Sequence, residues 1–129
     1  MTGKGAPWRT VMVDGFEILV GRSARDNDEL TFRVAEPRDF WLHAAGYAGS
    51  HVVVRNPDGL AELPRHVLER AAALAAWHSK ARNAGGKVPV HVCRAADVSK
   101  PRGAKPGEVR LRRWETVRVY PAAVSGAEE

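Results

Sequence analysis

The chain lacks several things that would decide its class at once. Of its 129 residues only Cys93 is a cysteine, so no intrachain disulfide can form. No apolar run approaches the roughly 20 residues that a membrane helix needs. The N-terminus, MTGKGAPWRT, has no apolar centre of the kind found in a secretory signal. These absences lead to the expectation of a cytoplasmic protein with no membrane partner. There is no G-x-S-x-G elbow and no paired Cys/His ligand spacing, so neither a serine hydrolase nor a zinc site has its usual signature. Internal repeats and low-complexity linkers are missing too. The expected organisation is one domain, residues 8–121, between polar tails at 1–7 and 122–129 that should be disordered.

What is present is positive charge. Twenty Lys and Arg face fifteen Asp and Glu, a formal net charge of +5. That balance favours a polyanionic partner, nucleic acid first. The charge is densest from Lys100 to Arg118, where seven cations are opposed only by Glu108 and Glu115. Lys100, Arg102 and Lys105 sit on a Pro/Gly-rich loop, a setting in which backbone and side chain can both approach phosphates. Trp114 adds a ring that can stack on an unpaired base or cap the edge of a core.

Local patterns give an outline of the fold. Asp14-Gly15 between Trp8–Val13 and Phe16–Val20 predicts a β-hairpin. Asp26 or Asn27 can cap a short helix, with Asp26 and Glu29 forming a capping box and Pro37 stopping the helix near Ala35. Strands are expected over Asp39–His43, Ser50–Arg55 and Val88–Cys93, and a turn at Asn56-Pro57-Asp58-Gly59. A long helix is expected from Pro64 to Asn83, leaving through Gly85-Gly86. Its apolar side would hold Val67, Leu68, Ala71, Leu74, Ala75 and His78. The segment after Val109 reads as a hairpin turning near Arg113-Trp114-Glu115. The fold class is α+β, a mainly antiparallel sheet with the long helix packed on one face and one short helix besides.

The stretch DFWLHAAGYAGSHVVV, Asp39 to Val54, places polar groups inside an apolar run. Strand alternation puts Phe40 and Leu42 on one face and Asp39, Trp41 and His43 on the other. Three chemistries compete there. Ser50 could pair with His43 or His51 and Asp39 as a hydrolytic set. His43, His51, His91 and Cys93 could hold a metal. Or Asp39 and Ser50 bond to backbone while Trp41 and the histidines form a polar floor for a ligand. The third is the commoner fate of such groups. Cys93 reads as a buried small hydrophobe and His78 as a core histidine.

Taken together, Gly21-Arg22, Asn27-Asp28, Asp39-x-Trp41-Leu42-His43-Ala44, Gly49-Ser50-His51-Val52, Ser79-Lys80 and Val98-x-Lys100-Pro101-x-Gly103-Ala104-x-Pro106-Gly107 recur in order. This set resembles the NFACT-R domain of the ribosome quality-control factors and their fibronectin-binding-protein-like homologues, over almost the whole chain. The resemblance implies a stand-alone, bacterial-type RNA-binding module; a binding role is expected ahead of an enzymatic one, which stays open, and no cofactor or metal is expected. It would act on tRNA, rRNA or the ribosome, and its oligomeric state stays open. Lys100, Arg102, Lys105, Arg110 and Arg112 would hold phosphates. Trp41, His43 and His51 would form the recognition surface, supported by Asp39, Ser50, Arg22 and Asn27. The alternative is an RNA-modifying or RNA-processing enzyme using His43, His51 and Asp39. Where His78 stands the family pattern favours an aromatic or aliphatic residue.

Overall fold

The computed structural model describes residues 8–123. The expected tails fall outside that range except for Ala122 and Ala123. Strands β1 (Trp8–Val13) and β2 (Phe16–Gly21) form the hairpin. Asp14 and Gly15 both have positive φ, 51° and 84°. That is the turn geometry whose twist matches two antiparallel strands, and Asp-Gly tolerates it.

Strands β3 (Phe40–Ala44), β4 (Val52–Val54), β5 (Val88–Arg94) and β8 (Glu115–Val119) complete a six-stranded sheet of order β1-β2-β4-β3-β5-β8. Every pairing in it is antiparallel. Two further strands, β6 (Val98–Ser99) and β7 (Arg110–Leu111), pair as a small separate sheet. The α+β class holds.

Each face of the main sheet has its own core. Helix α2 (Arg65–Trp77) lies on the first face, where Val67, Ala71, Leu74 and Ala75 meet Ile18, Val20, Leu42, Val52, Val54 and Val90. Its alanines let helix and sheet approach closely, and burying each larger aliphatic side chain contributes about 1.5–3 kcal/mol. The second face is covered by α1 (Ala24–Glu29), by the π-turn Leu30–Val34 that continues it, and by the β6–β7 arm. Leu19, Leu30, Trp41, Val53, Cys93 and Val98 form that second core. No helix among the described residues is long and apolar enough to cross a membrane.

Three local expectations are corrected. The cap of α1 is Ser23, whose hydroxyl accepts the Asp26 N–H at 3.1 Å; Asn27 is buried inside the helix instead. Helix α2 ends at Trp77, well before Gly85, because its exit backbone is recruited by the loop ahead of β4. Ser50 N–H donates to His78 O and Lys80 N–H to Ala48 O, each at 2.9 Å, around a Gly49–Ser79 β-bridge. The last segment bends where expected but is no hairpin. Arg110–Leu111 pairs with β6 and Glu115–Val119 with β5, and Arg112 N–H donates to Asp97 O between them.

Candidate nucleic-acid interface

The Gly49–His51 turn ties three elements together. Besides the bridge to the end of α2, Ser50 Oγ donates to Gly21 O at 2.6 Å, and Gly21 N–H donates to His51 O at 3.0 Å. Two glycines here are required by proximity rather than by φ. A Cβ on Gly49 would stand 2.6 Å from Ser79 Cβ, and one on Gly21 only 1.9 Å from Asn27 Oδ1. Asn27 then spans the gap, its Oδ1 accepting the His51 N–H at 3.1 Å and its amide donating to Gly49 O at 3.4 Å.

Behind that turn runs a buried polar relay. Trp41 Nε1–H donates to Thr31 Oγ1 at 3.0 Å. Gly107 O can only accept, so the His51 nitrogen facing it at 3.1 Å, Nε2, is the protonated one. In the neutral ring Nδ1 is then an acceptor and takes the hydrogen of the Thr31 hydroxyl, 2.7 Å away. Both imidazole nitrogens are thus committed in the neutral ring. Burial, reinforced by His43 nearby, pushes the His51 pKa down to about 4. A neutral, doubly bonded imidazole serves as a strut rather than as a proton carrier.

In front of the turn opens a cleft of about 840 Å³. Its floor is His43 with Gly49 and Ser50, and its walls come from the start of α1, the exit of α2 and the Pro106–Gly107 loop. Among the described residues, Arg9, Arg22, Lys80 and Arg82 line it together with the carboxylate of Glu108. Arg82 is held over the Trp77 ring at 4.3 Å and donates to Trp77 O at 2.6 Å. Arg22 and Lys80 are exposed and make no side-chain bond among the described residues. His43 stacks on buried Trp41, centroids 5.8 Å apart, and its pKa is lowered by burial first and by His91 second. A neutral His43 offers a hydrogen-bonding edge and a flat face without bringing a charge.

Residues 7–113 match the NFACT protein RNA binding domain. The chain belongs to that family. It is 43% identical over 109 residues to the Rqc2 homolog RqcH of Bacillus subtilis, covering 84% of the chain and 18% of the relative. To the RqcH of Streptococcus suis it is 44% identical over 116 residues, 89% of the chain and 20% of the relative. A solved structure, the C-terminal part of the fibronectin/fibrinogen-binding protein from Streptococcus suis, superposes with a TM-score of 0.81 at 41% identity, covering 90% of this chain and 45% of that one. The chain spans about a fifth of the length of these curated relatives. Membership supports an RNA-binding role.

Within this NFACT RNA-binding domain the anticipated site residues separate. His43, Ser50 and Arg22 meet at the cleft, and Asn27 braces it. Trp41 and His51 are each only 1% exposed, so they lie beneath the surface that they were expected to form. Lys100 is also reassigned. Its ammonium donates to Asp28 at 3.0 Å, Lys105 O at 2.6 Å and Glu108 O at 2.9 Å, which uses all three of its hydrogens. Asp28 in turn accepts the Gly107 N–H at 3.0 Å, so Lys100 shapes the loop that holds His51. Arg112 is turned onto Asp97, with Nε donating to Oδ1 at 2.9 Å. Arg102 and Arg110 line a shallow depression beside the cleft, where Glu108 borders both, and the Lys105 side chain is exposed.

Asp39 belongs to a different place. It is buried, accepts the Glu36 and Asn56 N–H groups at 2.8 Å each, and pairs with Arg55 at 3.1 Å. At about 3.3 Å per strand residue, it sits roughly 13 Å from His43 at the other end of β3. Asp39, His43 and His51 therefore form no catalytic set. His78 is half-buried at the cleft wall and not in the core, because α2 ends one residue before it. Cys93 faces Trp41 in the second core, and burial, then Asp97, pushes its thiol up to about 12. Among the described residues no cluster of three or more His, Cys, Asp or Glu side chains could hold a metal.

Sequence reasoning misses Arg9, Lys80 and Arg82. Lys80 carries a signal, since Ser79-Lys80 is among the family blocks, but the expected helix ran on through it to Asn83, whereas α2 ends at Trp77. Arg9 carries none, because it arrives from a strand far along the chain.

Proposed function

We propose that this domain binds RNA of the translation machinery, tRNA or rRNA, as a ribosome-associated module. The sugar–phosphate backbone would lie in the cleft over Gly49–Ser50. Arg22 and Lys80 hold phosphates, Arg9 and Arg82 add field, and His43 contacts a sugar or base edge. Lys105, Arg102 and Arg110 extend the basic track onto the adjoining loop. The carrying observation is the cleft itself, in which the exposed Arg22 and Lys80 flank a rigid backbone turn. The RqcH relatives, and a Drosophila relative named as a ribosome quality control complex subunit NEMF homolog, support the translational setting.

Salt dependence is the direct test. Deleting one cation that holds a phosphate takes roughly 0.7–0.9 off the slope of log affinity against log salt. Arg22→Ala with Lys80→Ala should lower the slope by about 1–2 units. Lys100→Ala should leave the slope unchanged and lower thermal stability, because its charge is spent internally. An unchanged slope in the Arg22/Lys80 double variant removes the cleft from RNA binding. Crosslinking followed by sequencing of the bound RNA separates tRNA from rRNA.

A further inference from the structure

Part of the second sheet face is left uncovered by α1 and the β6–β7 arm. The strand registers define it. Trp41 pairs with Cys93, His43 with His91, and His91 with Thr116. Val88, Val90, Val92, Val117 and Val119 all pack on the first core, so alternation turns His91, Thr116 and Arg118 to the other side. There His43 and His91 are half-buried, while Thr116 and Arg118 are exposed. One position before β8, Trp114 is 50% exposed and belongs to neither core. Its ring meets His91 with centroids 5.2 Å apart. The ring series that starts with buried His51 and Trp41 thus passes through half-buried His43 and, one strand over, half-buried His91 to exposed Trp114.

We propose that this open face is a stacking platform for unpaired RNA bases, with Trp114 and His91 as its rings and Arg118 as a phosphate contact beside them. The inference rests on the RNA-binding cleft and deepens it. His43 lines that cleft and stands directly opposite His91, so a strand leaving the cleft over His43 arrives on the platform. The charge is complementary, since Arg118 makes no side-chain bond among the described residues. The occupant must be unpaired. Bases within an A-form duplex keep their faces stacked inside the helix, and only a loop, bulge or single strand can offer one to a side chain. This domain would accordingly read RNA at non-duplex segments, holding backbone in the cleft and one or two bases on the sheet.

The test uses the whole chain and three probes of related sequence: a single-stranded oligonucleotide, a hairpin with an unpaired loop, and a blunt duplex. The single strand and the loop should bind more tightly than the duplex. Trp114→Ala should weaken single-strand binding by about tenfold or more, the usual effect of removing one stacked ring. The salt slope should not change, because every cation is kept. Trp114→Phe should keep most of the affinity, and thermal melts of both variants separate stacking from folding. If Trp114→Ala binds the single strand as tightly as the parent with an intact salt slope, the platform is overturned while the cleft stands. If Trp114→Phe loses as much as Trp114→Ala, the ring is structural and stacking is likewise overturned. If the parent binds no probe, the cleft fails and the platform falls with it.

Discussion

Replacing Thr31 with valine keeps the side-chain shape and deletes one hydroxyl. That hydroxyl serves two buried groups at once, accepting from Trp41 Nε1 and donating to His51 Nδ1. His51 cannot escape by changing tautomer. A proton on Nδ1 would find no acceptor in the valine methyl, and an unprotonated Nε2 would face Gly107 O, lone pair against lone pair. Two buried polar atoms are therefore orphaned, each costing about 1–3 kcal/mol. The expected loss is about 2–6 kcal/mol, a large share of the roughly 5–15 kcal/mol available to a domain. Thr31→Ser keeps the hydroxyl and removes only a methyl, for about 1 kcal/mol. Urea unfolding with matched slopes gives both numbers, and the indole N–H resonance of Trp41 reports the broken bond. If Thr31→Val proves no costlier than Thr31→Ser, the relay contributes nothing to stability and the tautomer deduced for His51 loses its basis.

Two other outcomes follow from the same geometry. Gly49→Ala forces its Cβ against Ser79 Cβ and to 3.0 Å from the His78 carbonyl, so the α2 exit must move; overpacking of this kind costs about 1–3 kcal/mol, and RNA affinity should fall with it, as calorimetry and titration of one sample would reveal. His51 should also make the fold acid-sensitive. Its folded pKa is depressed to about 4 from 6.5, so the unfolded chain takes up the proton first as pH falls. The His51 contribution is constant above about pH 6.5 and drops between there and about pH 4, by roughly 3 kcal/mol at 1.36 kcal/mol per unit. His43 and His91, both lowered, act in the same direction. Melting His51→Asn across that range should show a shallower decline than the parent; an equal decline assigns the effect to other groups.

Local rules reached far into this fold. Asp14-Gly15 could make only one kind of turn, and Pro37 ended its helix at Ala35 as steric exclusion requires. Alternation in Phe40–Ala44 sorted two faces correctly. It could not say that both faces are buried, because period two is silent about what covers a sheet. The end of α2 was illegible for a related reason. Alanines continue a helix as long as nothing competes, and the competitor, the Ala48–Ser50 backbone, lies some thirty residues upstream. Likewise Lys100 looked like a phosphate ligand because sequence counts charges without showing their partners.

The sequence by itself determined the first five strands and the two helices, the positive charge and the family, since these rest on neighbours in the chain and on ordered motif blocks. Tertiary structure alone decided which cations are available. It neutralised Lys100 on Asp28 and Arg112 on Asp97. It gathered Arg22, from the link after β2, and Lys80 and Arg82, from the exit of α2, around one turn. It sank Trp41 and His51 under the surface while leaving His43 at the floor and Trp114 in the open. The physical reason is that a charge or a ring is useful to a partner only when its hydrogens and faces are not already used, and that depends on contacts between distant residues.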